Sequence, residues 1–211
     1  MRDLCIRGPK DHTFKDWYDG FIEQADNMNI YLISDTHLNH ANIATYCDRP
    51  KNFTELIMER WNQTVKPEDT IIHLGDVILH KKSVIKDILD SLNGRKILIR
   101  GNHDRQWSNS KWMENGFAFS CDGMKFRQCW LTHEPAQSLA EGCILNIHGH
   151  LHNIWHGFQA EGSVPEKKLH NPWQRLFAIE YTNYAPVEFD KFVDRPNKYL
   201  ARGIPIVKDN S

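Results

Sequence analysis

Short apolar runs, each ending at a polar residue or a glycine, are the strongest pattern in the first half of the chain. The runs at 30–33, 70–74 and 96–99 are predicted to be buried strands. Between them, segments 54–65 and 84–93 carry apolar residues at the spacing of amphipathic helices. This alternation predicts an α/β protein whose functional side chains lie at the ends of the strands.

After residue 116 the pattern changes to strands without long helices between them. The predicted strands are 117–120, 124–127, 129–132, 144–148 and 175–181. Both halves together predict a four-layer α/β/β/α sandwich, in which two mixed β-sheets face each other and helices flank them. Outside this plan lie residues 1–27, where a short outer amphipathic helix is predicted, and the long connection 153–174.

The composition excludes several classes of protein. Lysine and arginine total 26 against 27 aspartates and glutamates, a net charge of −1, so neither long nucleic acid nor a membrane surface is an expected partner. No apolar run approaches the length of a membrane-spanning helix. The five cysteines form no C-x-x-C pair, and the first residues lack the apolar core of a secretory signal. We therefore expect a cytoplasmic protein with reduced thiols.

Acidic residues and histidines follow directly on the predicted strands. The chain carries DTH at 35–37, GD at 75–76, GNHD at 101–104, TH at 132–133 and GHLH at 149–152. Carboxylates and imidazoles at the tips of successive strands can converge on one point, where they form a ligand set for first-row transition metals. Each piece alone is also explained by a helix cap or a turn, whereas all of them in this order indicate a metal centre.

In these blocks the sequence resembles the calcineurin-like metallophosphoesterases, whose signature is Asp-x-His, Gly-Asp, Gly-Asn-His-Asp/Glu, His and Gly-His-x-His. The resemblance covers roughly residues 28–190 and implies the metallo-dependent phosphatase-like fold. It is closer to a small bacterial and phage branch, through DTHLNHANI, LNGRKILIRGNHD and NIHGHLHN. It implies a domain over 28–194 in a bacterial or phage-infected cell, with 1–27 as an N-terminal extension and 195–211 as a C-terminal tail.

The resemblance also implies two divalent metal ions and the residues that hold them. The implied ligands are Asp35, His37 and His152 for one ion, Asn102, His133 and His150 for the second, and Asp76 as a bridge between them. This histidine-rich set is softer than the oxygen-only environment that magnesium prefers. Mn²⁺ is therefore expected first, with Fe²⁺, Zn²⁺, Co²⁺ and Ni²⁺ as alternatives.

The same resemblance implies a course for the reaction. A hydroxide that bridges the ions attacks phosphorus in line, while the non-bridging phosphate oxygens bind the metals. His103 matches the family's non-ligand histidine, which stabilises the transition state and protonates the departing oxygen. Asp104 is predicted to orient the ring of His103.

Several side chains near these blocks are candidates for substrate contact, each with a structural alternative. His40 lies on a strand-to-helix loop. There it either faces a phosphate or has a structural role, as a helix cap or as a contact of a metal ligand. Arg105, like Arg100, suits a phosphate oxygen and equally suits a surface salt bridge. His73 and His148 lie inside predicted strands and are expected to be structural.

Two pairs of tryptophans lie on loops that follow the blocks. Trp107 and Trp112 follow GNHD, and Trp155 and Trp173 belong to the long connection after the last block. Either pair could stack on a nucleobase, and the alternative is hydrophobic packing beneath the loops. Trp155 is taken as the candidate substrate contact of this group.

Three functions compete for this sequence. The leading one is hydrolysis of a small phosphorylated substrate, either a nucleotide or another small phosphodiester or phosphomonoester. A nuclease of the DNA-repair type has the same metal signature, but a net charge of −1 argues against long DNA. A non-catalytic scaffold on the same fold typically loses metal ligands, which are all present here. The sequence does not indicate an oligomeric state.

Overall fold

A computed structural model gives the fold and describes residues 13–79, 82–153 and 172–194. The helices are α1 (Thr13–Gln24), α2 (Ala41–Tyr46), α3 (Phe53–Thr64), α4 (Lys82–Asp90), α5 (Asn109–Glu114) and α6 (Phe189–Val193). The strands are β1 (Ile30–Ile33), β2 (Thr70–His73), β3 (Arg95–Ile99), β4 (Phe119–Cys121), β5 (Met124–Phe126), β6 (Cys129–Leu131), β7 (Leu145–His148), β8 (Gln174–Leu176) and β9 (Val187–Glu188). The predictions for Trp155 and for the tail 195–211 lie outside the described residues.

The first sheet has the strand order β4-β3-β2-β1-β9. Strands β1 to β4 are parallel, and β9 pairs antiparallel with β1. Strand β2 is buried at every position, which explains why the central strands are continuous apolar runs rather than alternating ones. Because β1, β2 and β3 are parallel, their carboxyl ends lie at one edge of the sheet, and the loops that follow them start side by side.

The second sheet has the order β5-β6-β7-β8, with β5 antiparallel to β6 and the other strands parallel. The Gly149 amide donates to the His133 carbonyl at 2.9 Å, so the loops after β6 and β7 also start together. The predicted architecture of two mixed sheets flanked by helices is confirmed. The strand predicted at 117–120 occupies Phe119–Cys121.

The segment 175–181 is only partly a strand. Strand β8 ends at Leu176, and Ile179–Thr182 form a turn of 3-10 helix. Glu180 in this turn has a side chain only 5% exposed, and its carboxylate lies 2.6 Å from the Arg49 guanidinium. A strand continued to residue 181 is therefore wrong, because the chain turns here and brings Glu180 to a buried cation.

Helix α3 covers the first sheet through its predicted apolar face. Ile57 and Trp61 are buried to 0% and 1% exposure. The Trp61 indole N–H donates to the Asn93 carbonyl at 3.0 Å, which fixes the helix to the turn before β3. None of the helices in the described part of the chain has both the length and the apolar character needed to cross a lipid bilayer.

Helix α1 packs against both sheets at once. The Trp17 ring stacks on Phe119 of β4 with 4.0 Å between centroids. Phe21 is 1% exposed and lies 5.5 Å from the Phe126 ring of β5. Because β4 and β5 are edge strands of different sheets, the predicted outer helix belongs to the hydrophobic core where the two sheet edges meet.

We expect Phe21→Ala to destabilise the protein by about 3–5 kcal/mol, because it leaves a cavity between α1 and the second sheet. The measurement is the free energy of unfolding from chemical denaturation. Tyr46→Ala is the control, since Tyr46 is 60% exposed and its loss should change little. Equal stability of the two variants would show that α1 does not support the core.

Candidate metal centre

The acidic residues and histidines predicted from the sequence lie at the carboxyl ends of the parallel strands. Asp35 follows β1, Asp76 follows β2, and Asn102 follows β3. His133 follows β6, and His150 follows β7. Loops from both sheets therefore supply side chains to one region, as the positions of the blocks predict.

Two groups of donor atoms form in this region. The first contains Asp35, His37 and His152, and the second contains Asp76, His133 and His150. Within each group, one ligand atom per residue lies within 4.8 Å of the others. We call these groups the first and the second cluster.

Asn102 joins the second cluster. Its side-chain Oδ1 lies 3.0 Å from His133 Nε2 and 3.1 Å from His150 Nδ1. Ligands at about 2.0–2.2 Å from one ion are separated from each other by about 3.0–3.5 Å, so these distances suit a shared cation.

Asp76 lies between the two clusters. Its Oδ2 is 3.3 Å from His133 Nε2 in the second cluster and 3.5 Å from His37 Nε2 in the first. The Asp76 Oδ1 accepts the backbone N–H of His103 at 3.0 Å. One carboxylate oxygen thus faces both groups of imidazoles, and the structure brings together every residue that the sequence predicts as a ligand.

The buried donor atoms fit divalent metal ions. His37 Nε2 is buried and has no hydrogen-bond partner among the described residues. His133 Nε2 and His150 Nδ1 lie 3.1 Å apart, an arrangement in which a neutral pair needs a shared proton or a cation. Imidazole nitrogens together with carboxylate and amide oxygens bind Mn²⁺, Fe²⁺, Zn²⁺, Co²⁺ or Ni²⁺. This donor set could therefore hold one ion in each cluster.

Burial and neighbouring charges move the histidine pKa values in opposite directions. Burial, together with the charge of His152, lowers the pKa of His37 to about 2, so its ring is neutral. Burial also opposes protonation of His152, but the charge of Asp35 raises its pKa to about 11. Burial also opposes protonation of His133, but the hydrogen bond to Asp76 and the charges of Asp35 and Asp76 together raise its pKa to about 9. Because metal ligands are neutral imidazoles, cation binding at neutral pH must displace these protons, and affinity rises with pH.

Several candidate ligands adopt left-handed backbone conformations. They are Asp35 (φ 53°), His37 (φ 44°), Asp76 (φ 56°), His150 (φ 69°) and His152 (φ 48°). Such a conformation costs a residue with a side chain about 1–2 kcal/mol. Strain of this kind concentrates at active sites, where the surrounding structure fixes it.

Two glycines of the sequence blocks leave room for the carboxylates. A Cβ atom on Gly101 would lie 2.1 Å from Asp76 Oδ1, and one on Gly149 would lie 2.2 Å from Asp35 Oδ2. Any larger residue would therefore displace a carboxylate that belongs to a cluster.

Asp104 connects two loops of the centre. Its fully buried carboxylate accepts the backbone N–H groups of Asp76 at 2.7 Å, Val77 at 3.0 Å and Gly101 at 2.8 Å. Burial nevertheless raises the pKa of Asp104 to about 6. The prediction that this carboxylate orients the His103 ring does not agree with the structure, because its oxygens are directed at backbone groups instead.

His103 lies at the open side of the centre. Its side chain is 46% exposed, and its Nε2 lies 4.0 Å from Asp76 Oδ2. The ring centroid is 5.3 Å from that of His37. An imidazole in this position can reach both solvent and a molecule bound over the clusters.

The candidates for substrate contact have different positions. His40 lies beside the first cluster, with its Nδ1 3.4 Å from His37 Nδ1. The Arg105 guanidinium lies 3.7 Å from the Glu134 carboxylate in a half-exposed pair. Arg100 instead forms a 2.6 Å ion pair with Asp122, the structural alternative for that residue.

The tryptophans after GNHD do not overhang the clusters. Trp107 and Trp112 are 6% and 0% exposed, and the Trp112 indole donates to the Asp104 carbonyl at 2.9 Å. The prediction that a nucleobase stacks on this pair is therefore wrong, and the two rings pack beneath the loop instead.

His73 and His148 are buried, at 1% and 3% exposure, as expected for structural histidines.

Arg49 and Glu180 adjoin the first cluster and were not predicted from the sequence. The Arg49 guanidinium donates to the carbonyls of Asp35 at 2.8 Å and Thr36 at 3.0 Å. Glu180 accepts from Arg49, and its Oε1 lies 3.5 Å from His152 Nδ1. Burial would raise the pKa of Glu180, but the Arg49 charge lowers it to about 2. No spacing pattern could have connected two residues 131 positions apart.

This chain is similar to known proteins in sequence and in fold. A family model for calcineurin-like phosphoesterases matches residues 28–203. An uncharacterized protein of Methanocaldococcus jannaschii is 37% identical over 173 residues, covering 78% of this chain and 89% of the relative. The gene 66 protein of Mycobacterium phage D29 is 37% identical over 81 residues, covering 36% of this chain and 41% of the relative. A crystal structure of an Aquifex aeolicus protein of unknown function is similar with a TM-score of 0.60 and 29% identity, covering 78% of this chain and 97% of that one.

We expect Asp104→Asn to destabilise the fold by about 1–3 kcal/mol, because an amide NH₂ would then face backbone N–H donors in a buried site. Chemical denaturation measures the change. Asp87→Asn, at an exposed position of α4, is the matched control and should change stability by less than about 0.5 kcal/mol. If both variants unfold at the same denaturant concentration, Asp104 does not hold the loops.

Proposed function

Since the chain belongs to the calcineurin-like phosphoesterase family and is a metal-dependent phosphoesterase, we propose that it hydrolyses its substrate with two divalent ions, one in each cluster. The observation that carries the proposal is the position of Asp76 Oδ2, which lies 3.5 Å from His37 Nε2 and 3.3 Å from His133 Nε2. A carboxylate shared in this way reduces the repulsion between two neighbouring dications.

The described side chains form two sets of ligands, one for each ion. Asp35, His37 and His152 would hold the first ion, Asn102, His133 and His150 the second, and Asp76 both. When bound, the ions supply positive charge for the phosphate oxygens and lower the pKa of water, so that hydroxide forms near neutral pH. Mn²⁺ is the ion that we propose first, with Fe²⁺, Zn²⁺, Co²⁺ and Ni²⁺ as alternatives.

His103 is the proposed proton donor for the leaving oxygen. Its Nε2 is 4.0 Å from the shared Asp76 carboxylate, while nearly half of its side chain is exposed. The ring could therefore reach the leaving oxygen of a phosphate bound over the clusters. Proton donation by a positioned imidazole typically accelerates a reaction by about 10²–10⁴-fold.

The proposed substrate is a small phosphorylated molecule, such as a nucleotide or another small phosphodiester or phosphomonoester. His40 lies near both His37 and His103, with 6.2 Å between the His40 and His103 centroids, which suits contact with a phosphate. Arg105 is the second proposed contact for the substrate. It pairs with Glu134, so this exposed surface carries both a positive and a negative charge. Mixed charge and the net charge of −1 support a small substrate over a long nucleic acid.

We expect His103→Gln to lower the turnover of an aryl phosphodiester by at least about 100-fold, because the substitution removes the proposed proton donor. Elemental analysis should still find two ions per chain in this variant. Glu114→Gln, on the exposed side of α5, is the control and should keep full activity. Unchanged turnover in His103→Gln would exclude His103 as the proton donor.

The same assay applied to nucleotides, cyclic nucleotides, phosphorylated small molecules and oligonucleotides tests the substrate class. Selective cleavage of one class of small molecule supports the proposal. Activity that disappears as an oligonucleotide is shortened to a mononucleotide would identify a nuclease instead.

We expect Asp76→Asn to lose at least one of the two ions, because a neutral amide cannot balance both charges. Its thermal midpoint in Mn²⁺ should fall, since bound ions stabilise the native state. Elemental analysis and thermal denaturation measure the two effects, with Asp87→Asn as the control of equal charge change. A variant that retains both ions would contradict the shared position of Asp76.

A further inference from the structure

Three segments meet beside the first cluster. They contribute Arg49, Glu180 and the outer ring nitrogen of His152. The Arg49 and Glu180 side chains are 0% and 5% exposed, so both charges are removed from water. Burying this ion pair costs free energy, which the other contacts of the two side chains must offset.

The His152 ring lies between two carboxylates. Its Nε2 is 3.6 Å from Asp35 Oδ1, a ligand atom of the first cluster. Its Nδ1 is 3.5 Å from Glu180 Oε1. Glu180 is not one of the proposed ligands of either cluster. Glu180 Oε1 also accepts from Arg49, and Glu180 Oε2 is buried and has no hydrogen-bond partner among the described residues. A carboxylate on the outer nitrogen fixes which nitrogen carries the proton and directs the other one at the ion.

Arg49 also contacts the backbone of the loop that carries Asp35. Its guanidinium donates to the carbonyls of Asp35 and Thr36 and also to Glu180. These bonds connect the loop that carries Asp35, whose backbone is left-handed at φ 53°, to the turn that carries Glu180. A planar guanidinium can bond to all three acceptors at once, whereas an ammonium group cannot match that geometry.

A third metal site is the competing explanation for this region. Cys47, His152 and Glu180 each offer a ligand atom within 4.8 Å of the others. Arg49 opposes cation binding there, because its Nε and Nη2 lie 2.9 and 2.6 Å from Glu180 Oε1, and its Nη2 lies 3.4 Å from His152 Nδ1. The positive charge that such a site would attract is already present.

We propose that Arg49 and Glu180 are a positioning pair for the first metal site, with Glu180 orienting His152 and Arg49 fixing the Asp35 loop. The proposal rests on the proposed function, because it assumes that His152 and Asp35 hold an ion. Because both side chains are buried, we expect their effect to be on the affinity and geometry of one ion rather than on direct contact with substrate.

Mn²⁺ titration of the full chain by calorimetry, with chelator competition, tests the proposal. Glu180→Gln should weaken one of the two Mn²⁺ sites by about 10–100-fold and leave the other unchanged. Arg49→Lys should weaken the same site. Glu59→Gln, an exposed position on α3, is the matched control and should leave both affinities at the wild-type values.

A double variant separates positioning from stability. Arg49→Met with Glu180→Leu removes both charges together, and such replacements of buried pairs are often neutral or stabilising. We expect it to fold with a thermal midpoint near that of the wild type in chelator, and still to bind one Mn²⁺ at least about 10-fold more weakly. A purely structural pair would not alter the affinity of a protein that folds normally.

The outcomes distinguish this proposal from the proposed function. Two tight Mn²⁺ sites in the wild type, unchanged in Glu180→Gln and in the double variant, would overturn the positioning role and leave the two-ion function intact. A wild type that binds no Mn²⁺ would overturn both. Failure of Glu180→Gln and of the double variant to fold would show that the pair is structural and would also overturn the positioning role.

Discussion

Carboxylate oxygens and imidazole nitrogens crowded into a buried pocket are the constraint on which the rest of the structure depends. Asp35 and Asp76 are 0% and 2% exposed, and an unbalanced charge is very unfavourable at such burial. Backbone N–H groups satisfy part of this demand, since His150 donates to Asp35 and His103 to Asp76. The remaining donor atoms face one another, which is favourable only when a proton or a metal cation lies between them.

Loops that start from separate strands must be held together for such a pocket to persist. Asp104 does this for the second cluster, because one carboxylate accepts backbone N–H groups from two loops. Arg49 secures the loop of the first cluster, but as a donor rather than an acceptor, since its guanidinium donates to backbone carbonyls. These bonds help to offset the cost of the left-handed conformations at Asp35 and Asp76. The strain is thus confined to loops that buried charged groups secure.

The sequence predicted the parts of the structure that depend on local pattern. Buried parallel strands are continuous apolar runs, and the ligands follow them directly, so both could be identified without coordinates. Side-chain direction within a loop could not be predicted. Asp104 is next to His103 in sequence but is directed at the backbone of another loop. Trp112 similarly turns inward beneath that loop. The Arg49–Glu180 pair escaped prediction because it depends on tertiary contact alone.

The two clusters differ in the group that faces the outer ring nitrogen of a histidine. His133 in the second cluster directs its Nδ1 at the Leu74 carbonyl, 2.8 Å away, which is a neutral acceptor fixed by the end of β2. His152 in the first cluster faces the Glu180 carboxylate, itself balanced by Arg49. A carboxylate makes the imidazole a more basic ligand than a carbonyl does, but it requires a counter-charge in the same buried space. The first cluster therefore depends on charges contributed by distant segments, whereas His133 of the second depends on a backbone carbonyl at the end of β2.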